Sequence, residues 1–300
     1  MTKTINLGVL GIDHGHIFDM LDEMLKEGCS CNYFWTQGSP LTLDEFRKKY
    51  PQIKRVDNKS DILNDDTIDM ILISSIPKDR ANLSIDAMKA GKDVMVDKPG
   101  CTTLEQLNNL KQTVKETGKI WSINFSERFH VAAVTKAEEL VAEGKIGKVK
   151  QTIGTGPHRQ GNYERPDWFY DRDSYGGIIT DIGSHQIHQF LVFTNSNEAK
   201  VNHALVENTT KKEFAGFQDF GEVNLTGNGG HGYVRLDWFT PDALPTWGDG
   251  RLFILGDKGF IEIRKYTDLA KSEKGNQLFL ANNDEVIHCL LYTSDAADDL

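Results

Sequence analysis

Short apolar runs alternate with amphipathic stretches over the first 125 residues. Residues 7–11, 69–74 and 93–96 have the length and composition of buried strands. Between such runs apolar residues recur at helical spacing, as they do over residues 16–27. This alternation is typical of a doubly wound parallel sheet that has helices on both faces.

The same pattern places the remaining elements of this first domain. Strands are predicted at residues 32–36 and 120–124, and helices at residues 42–50, 81–90 and 103–117. Thr42 followed by Glu45 has the spacing of a capping box, in which the threonine side chain caps the helix. We therefore expect an α/β domain of nucleotide-binding type over residues 1–125.

A different pattern follows from residue 126. A helix is predicted at 131–143, a strand at 149–154 and a second helix at 180–193, and residues 157–175 are aromatic and charged without a clear period. Alternating strands joined by turns come next, at residues 201–208, 220–227, 232–238, 252–256, 259–264 and 277–281. Residues 126–288 are therefore predicted to form an α+β domain with a large, mostly antiparallel open sheet.

The last twelve residues do not continue this pattern. Residues 289–300 contain neither a clear final strand nor a clear helix. We expect a non-native or truncated tail here, unrelated to the fold.

Composition and charge narrow the class of protein. The net charge is −10, from 34 basic and 44 acidic residues, which argues against nucleic acid as a partner. No apolar run approaches the roughly 20 residues that cross a bilayer, and the chain leads directly into a strand without a signal peptide. The four cysteines include no C-x-x-C pair. We expect a cytoplasmic protein with reduced thiols, no membrane contact and no metal.

A glycine-containing loop joins the first strand to the first helix. Dinucleotide-binding loops need the pattern G-x-G-x-x-G, so that the backbone can approach the pyrophosphate at a helix N-terminus. Here the loop reads Gly11-Ile12-Asp13-His14-Gly15-His16, and only its first glycine is in register. Both a phosphate cradle and a simple tight turn remain open.

The end of the second strand does not decide between NAD and NADP. An acidic residue that binds the adenosine ribose is absent, since residues 35–39 read Trp-Thr-Gln-Gly-Ser. No arginine stands beside them to favour the 2′-phosphate of NADP.

Two short motifs carry candidate catalytic groups. Asp181 and His185 lie four residues apart after the pair Gly176-Gly177, and on one helix face the carboxylate would set the tautomer and basicity of the imidazole. Such pairs also meet by chance on surface helices. Lys98 follows the predicted strand at 93–96, where open α/β sheets bind ligands, although most lysines simply face solvent.

Together these motifs resemble the Gfo/Idh/MocA oxidoreductases, the glucose–fructose oxidoreductase and inositol dehydrogenase group, over roughly residues 5–265. Asp97-Lys98-Pro99 is similar to their E-K-P motif, and Gly176-Gly177 with Asp181-Ile182-Gly183-Ser184-His185 is similar to their G-G…D-I-G-x-H. Two further segments match family patterns, Arg128-Phe129-His130 and the residues from Trp168 to Asp171.

The resemblance implies a Rossmann domain that binds NAD or NADP, and a second domain whose sheet often forms a homo-oligomer, here a dimer or tetramer. It implies that Lys98, Asp181 and His185 are catalytic. The cofactor-binding candidates are Gly11, Asp13, His14, Gly15, His16, Thr36, Ser74, Ser75, Asp97, Lys98 and Trp168. The substrate-binding candidates are Lys98, Arg128, His158, Arg159, Asp181 and His185.

The activity that the resemblance implies is hydride transfer between nicotinamide and a CH–OH carbon of a sugar, polyol or related substrate. Hydrogen-bonding and aromatic groups at 157–170 suit such a substrate, although the same loop is also typical of a solvated surface. His188 is predicted to support His185 rather than to react. Two alternatives stay open: an NAD-dependent, redox-assisted glycoside hydrolase, and a nucleotide-binding relative without turnover.

Overall fold

A computed structural model describes residues 4–161, 164–269 and 275–291 of the chain. Two compact units are present. The first comprises Met1–Asn124 and Arg165–Gly176, and the second comprises Phe125–Glu164 and Gly177–Leu300. Residues 165–176, predicted to belong to the second domain, thus group with the first unit.

The first unit is built on a six-stranded sheet in which all pairs are parallel. The strand order is β3-β2-β1-β4-β5-β6, the order of dinucleotide-binding folds. The strands are β1 (Asn6–Leu10), β2 (Ser30–Trp35), β3 (Lys54–Arg55), β4 (Met70–Ile73), β5 (Asp93–Asp97) and β6 (Trp121–Asn124). The predicted doubly wound sheet is confirmed.

Helices connect these strands and bury their apolar faces on the sheet. They are α1 (His16–Lys26), α2 (Leu43–Lys49), α3 (Ser60–Leu63), α4 (Pro77–Lys89) and α5 (Leu104–Thr117). One apolar cluster packs α1 and α2 against β1 and β2, and another packs α4 and α5 against β4 and β5. The predicted capping box is wrong, because the Thr42 hydroxyl makes no cap bond and instead donates to the Ile12 carbonyl.

The second unit is built on an eight-stranded sheet of order β14-β13-β12-β11-β7-β10-β9-β8. All its neighbouring strands are antiparallel except β7 and β10. The strands are β7 (Val149–Pro157), β8 (Ala199–Glu207), β9 (Phe220–Gly227), β10 (His231–Asp237), β11 (Arg251–Gly256), β12 (Gly259–Arg264), β13 (Gln277–Asn282) and β14 (Val286–Leu290). The predicted mostly antiparallel sheet is confirmed.

The last strand was not predicted. Its residues Cys289 and Leu290 pair with Leu278 and Gln277 of β13, so these two residues of the expected tail belong to the sheet. Residues 292–300 of that expected tail lie outside the described residues.

Five helices follow residue 125 in the described chain. They are α6 (Ser126–Phe129), α7 (Ala132–Ala142), α8 (Arg172–Tyr175), α9 (Ile178–Asp181) and α10 (Gly183–Phe193). The helix predicted at 180–193 is therefore two helices that meet at Ile182. Short α8 and a 3-10 turn at Asp167–Tyr170 group with the first unit, where α8 contacts α4. No helix among the described residues has the length and apolar character that a membrane crossing requires.

Candidate active site

The loop after β1 begins with a glycine that no other residue could replace. Gly11 has φ +80°, and its N–H donates to the Trp35 carbonyl at 2.7 Å. A Cβ on Gly11 would lie 2.4 Å from Cβ of Ser75, and Ser75 follows β4. Only glycine therefore lets the β1 and β4 ends approach so closely.

Asp13 interacts with the start of α4. Its carboxylate accepts a hydrogen bond from the Ile76 backbone at the start of α4, and the charge of Arg80 acts on it. Burial outweighs these two effects and raises the pKa of Asp13 to about 6. The side chain in the second glycine position of the fingerprint thus bonds to the start of α4.

Asp97 is the centre of a network at the carboxyl end of β5. Arg80 and Asp97 are both fully buried, and Arg80 Nη2 lies 2.9 Å from Asp97 Oδ2. His16 Nδ1 lies 2.8 Å from Asp97 Oδ1, and the Ser74 hydroxyl donates to Oδ2 at 3.3 Å. Burial raises the pKa of Asp97, but the charges of Arg80 and His16 outweigh it and hold that pKa well below its usual range.

The two histidines of the loop meet at this network. His14 Nδ1 lies 3.5 Å from Asp97 Oδ2, and the two imidazole rings are 4.1 Å apart and nearly perpendicular. The His14, His16 and Asp97 ligand atoms lie within 4.8 Å of one another, as a metal site requires. Arg80 forms an ion pair with one carboxylate oxygen of Asp97, and His16 bonds the other.

Lys98 is held in place through its backbone. The Arg80 guanidinium donates to the carbonyls of Lys98 and, at 3.3 Å, of Pro99, and the Lys98–Pro99 peptide is cis. Lys98 is also buried, with 4% of its surface exposed. A buried lysine fixed at the end of a central parallel strand differs from the usual solvated lysine.

Trp168 and Thr36 are two further cofactor-binding candidates of the first unit. The Trp168 ring lies 6.3 Å from the His14 ring within the first unit. Thr36, directly after β2, is buried, and its hydroxyl has no hydrogen-bond partner among the described residues.

Arg55 was missed from the sequence. On β3, it donates from Nη2 to the carbonyls of Thr36, at 2.9 Å, and Gly38, at 2.7 Å. This places a guanidinium at the end of β2, where an arginine accommodates the 2′-phosphate of NADP. The only available signal was a basic pair within a two-residue strand, which periodicity does not detect.

The first unit fits a dinucleotide cofactor. A Cβ on Gly15 would meet nothing within 4 Å, so there is open space where α1 begins. His14 and His16 keep about 30% of their side-chain surface exposed there. The α1 N-terminus, the loop and Thr36 would hold the pyrophosphate and adenosine ribose.

The glycine pair Gly176-Gly177 shapes the turn that leads into α9. Gly176 and Gly177 have φ +91° and +87°, which β-carbon-bearing residues rarely adopt. Asp181 is the last residue of α9, and His185 lies in the first turn of α10. The backbone stays helical through Ile182 (φ −76°, ψ −47°), so the i, i+4 relation of Asp181 and His185 is kept across the junction.

His185 is buried, with 3% of its surface exposed, and the Phe125 ring packs against it. Phe125 meets its imidazole edge to face at 5.9 Å and stacks on His188 at 4.1 Å. Burial and the charge of Arg128 lower the pKa of His188 to about 4. His188 is therefore neutral at pH 7.

The remaining substrate candidates have structural partners. Arg128 forms a bidentate ion pair with Glu138, at 2.6 and 2.8 Å. Nη2 of Arg159 donates to three carbonyls of the 241–246 loop, those of Pro241, Leu244 and Thr246. His158 lies between aromatic rings, 4.4 Å from Trp247 and 5.3 Å from Trp238.

Comparison with known proteins places this fold and these motifs in one class. Residues 39–125 match an oxidoreductase family profile described as an NAD-binding Rossmann fold. Residues 134–262 match the profile of the GFO/IDH/MocA C-terminal domain. The first unit is thus an NAD(P)-binding Rossmann domain, and the chain belongs to the Gfo/Idh/MocA family of oxidoreductases.

Individual relatives agree with this assignment. A solved structure assigned as an oxidoreductase, from Erwinia carotovora atroseptica SCRI1043, is 40% identical with a TM-score of 0.93, over 98% of this chain and 87% of that one. Levoglucosan dehydrogenase in complex with NADH and levoglucosan has the same fold at 17% identity, with a TM-score of 0.80 over 97% and 80% of the two chains.

Among curated relatives, scyllo-inositol 2-dehydrogenase (NADP(+)) of Bacillus subtilis (strain 168) is 25% identical over 194 residues. D-xylose dehydrogenase of Paenarthrobacter nicotinovorans is 30% identical over 129 residues. These matches cover 63% and 41% of this chain, and 51% and 33% of the two relatives. The chain thus spans about half or less of the curated relatives it matches.

Proposed function

We propose that the protein is an NAD(P)-dependent dehydrogenase that acts on a CH–OH group of a sugar, polyol or related compound. The observation that carries this proposal is the fixation of Lys98 at the carboxyl end of β5. Arg80 donates to the Lys98 carbonyl and pairs with Asp97, so the lysine backbone has little freedom. Named relatives act on scyllo-inositol and D-xylose, both of which carry CH–OH groups.

In the oxidation direction a bound nicotinamide cofactor would supply the hydride acceptor for the substrate carbon. Lys98 donates a hydrogen bond to the substrate hydroxyl oxygen and stabilises the negative charge that develops on it. His185 removes the hydroxyl proton as general base and holds that proton on its imidazole. Asp181 orients the imidazole and stabilises its positive charge.

A sugar panel with both cofactors tests this proposal. Purified protein is mixed with NAD⁺ or NADP⁺ and with inositols, aldoses and anhydrosugars, and reduced cofactor is followed at 340 nm. We expect reduction with at least one polyol or sugar, and stronger binding of NADP⁺ than of NAD⁺ because of Arg55. Release of the phenol from an aryl glycoside, assayed in parallel, without net cofactor reduction would assign a redox-assisted hydrolase instead. Cofactor binding without either reaction would assign a non-catalytic relative.

We also propose that the sheet of the second unit mediates a homo-oligomer, a dimer or tetramer. Ile153, Phe253, Leu255 and Phe260 are each 38–46% exposed, and strand pairing places them on one face of the sheet. A contiguous apolar patch of this kind marks an association surface. Light scattering is expected to give a dimer or tetramer mass that Phe253→Lys reduces, whereas a monomeric native protein would refute this assembly.

A further inference from the structure

Two opposite charges are buried together in the core of the second unit. Lys265, directly after β12, has a fully buried side chain, and Glu127 of α6 is 3% exposed. Lys265 Nζ lies 2.6 Å from Glu127 Oε2. Burial raises the pKa of Glu127, but the charges of Lys265 and His185 and the hydrogen bond from Lys265 lower it to about 2.

The neighbour of His185 in sequence fixes this carboxylate. Gln186 is 1% exposed and donates from Nε2 to Glu127 Oε2 at 2.9 Å. Space for Gln186 depends on two glycines of β7. A Cβ on Gly154 would lie 3.0 Å from Gln186 Cγ, and a Cβ on Gly156 would lie 2.9 Å from its Nε2. The sheet thus accommodates the glutamine that binds Glu127.

Stability alone does not explain such a pair. The desolvation of two buried charges often exceeds their attraction, and well-packed apolar residues of similar volume frequently stabilise a protein as much or more. Buried charges beside a histidine do change its proton affinity, because charges act strongly at low dielectric. Phe125, two residues before Glu127, packs on the His185 ring. Glu127 and His185 therefore belong to one buried cluster.

We propose that Glu127 is a positioning residue for His185, and that its carboxylate, held by Lys265 and Gln186, stabilises the protonated imidazole. This inference rests on the proposed function, in which His185 accepts the substrate proton. Within the second unit the other carboxylate of the cluster is Asp181, four residues before His185, and the remaining titratable groups of the cluster are His158 after β7, Tyr266 beside Lys265, and His188 on α10. Asp181 is the same in the native protein and in variants at Glu127 or Lys265, so a difference in the His185 pKa between them comes from that buried charge pair.

The direction of the His185 pKa shift distinguishes a positioning role of Glu127 from a purely structural role. Removal of the Glu127 charge leaves Lys265 unopposed, which disfavours imidazolium and lowers the pKa of His185. Removal of the Lys265 charge leaves the protonated imidazole as the main remaining charge that favours the Glu127 carboxylate, to which Gln186 still donates, and this coupling raises the pKa of His185. A pair that only stabilises the fold would lower the melting temperature in both variants, without opposite shifts of the His185 pKa.

NMR titration of the full chain without cofactor or substrate tests the proposal. The His185 Cε1–H signal is assigned by its loss in His185→Ala, and its pKa is compared in the native protein, Glu127→Gln, Lys265→Met and the double variant. By the usual effect of a nearby charge, we expect shifts of about 1 pKa unit, down in Glu127→Gln and up in Lys265→Met. If either single variant unfolds, the double variant still tests the proposal. It contains no unpaired buried charge, so it is expected to fold.

A matched control removes another ion pair of the same unit. Glu285 pairs with Lys145 at 3.0 Å on the surface, so Glu285→Gln should leave the His185 pKa unchanged. Unshifted or same-direction pKa values in folded single variants would overturn the proposal, as would a shift in the double variant as large as that in Glu127→Gln.

The shifts do not depend on turnover, so a failed reaction assay with intact shifts would refute the proposed function and leave the role of Glu127 standing. With turnover, the acid limb of kcat/KM should move to lower pH in Glu127→Gln.

Discussion

His185→Ala and Lys98→Met are each expected to lower kcat by about 10²–10⁴-fold, the usual contribution of a positioned acid–base group or charge-stabilising donor. His185→Ala removes the group that takes the hydroxyl proton. Lys98→Met removes the donor to the substrate oxygen while it preserves the length of the side chain. Turnover is measured with the best substrate of the sugar panel, and cofactor binding is measured separately by fluorescence.

Matched controls separate catalysis from packing. Lys92 is as buried as Lys98, at 4% exposure, but lies before β5 and donates to the Asp65 carbonyl at 2.6 Å. Lys92→Met should therefore reduce stability while kcat stays near the native value. His203, with a side chain 64% exposed on β8, gives the matched control for His185. Native turnover in His185→Ala or Lys98→Met, or equal losses in the controls, would contradict the catalytic assignment.

The sheets were predictable because local pattern dominates there. Buried strands such as β4 and β5 are apolar runs bounded by polar residues, and the alternating strands of the second unit keep a period of two. Elements without a period of their own were missed. Two-residue β3 and the four-residue helices α3, α6, α8 and α9 are too short to show one.

Residues of the candidate site could be predicted from sequence only where they lie within a recognisable motif. Lys98, Asp181 and His185 stand out in sequence because glycine or proline neighbours mark them. Their supporting residues do not, since Arg80 acts on Asp97 from 17 positions away and Lys265 acts on Glu127 from 138 positions away. Such pairings depend on tertiary contacts that neither spacing nor composition encodes.

The glycine loop at residues 11–16 shows a different limit of prediction from sequence. The mismatch to G-x-G-x-x-G left a phosphate cradle and a simple tight turn open, and the structure shows that the replacing residues have defined partners. Asp13 turns to the start of α4, and His16 binds Asp97. The sequence showed which glycines were missing, but only the structure shows that their replacements belong to an ordered network.

Arg80→Met is expected to destabilise the first unit by about 3–5 kcal/mol, because it leaves the carboxylate of Asp97 buried without its main counter-charge. Arg80 also donates to the carbonyls of Ser75 and Lys98, so the ends of β4 and β5 lose a common support. Urea unfolding followed by tryptophan fluorescence measures the loss. Asp86→Asn on the same helix breaks an ion pair with Lys59, both side chains being over 40% exposed, and should cost less than about 1 kcal/mol.

The pH dependence of the stability lost in Arg80→Met shows whether the loss comes from the charge of Asp97. In the native protein the depressed pKa of Asp97 contributes stability above pH 4, and that contribution is lost as the pH falls through the folded pKa. Without Arg80, burial favours the protonated acid, so the penalty of Arg80→Met should be largest near pH 7 and shrink toward pH 4. Asp97→Asn in the Arg80→Met background should recover part of the stability at pH 7. A penalty independent of pH, with no recovery in the double variant, would show that Arg80 acts through its carbonyl contacts and not through the charge of Asp97.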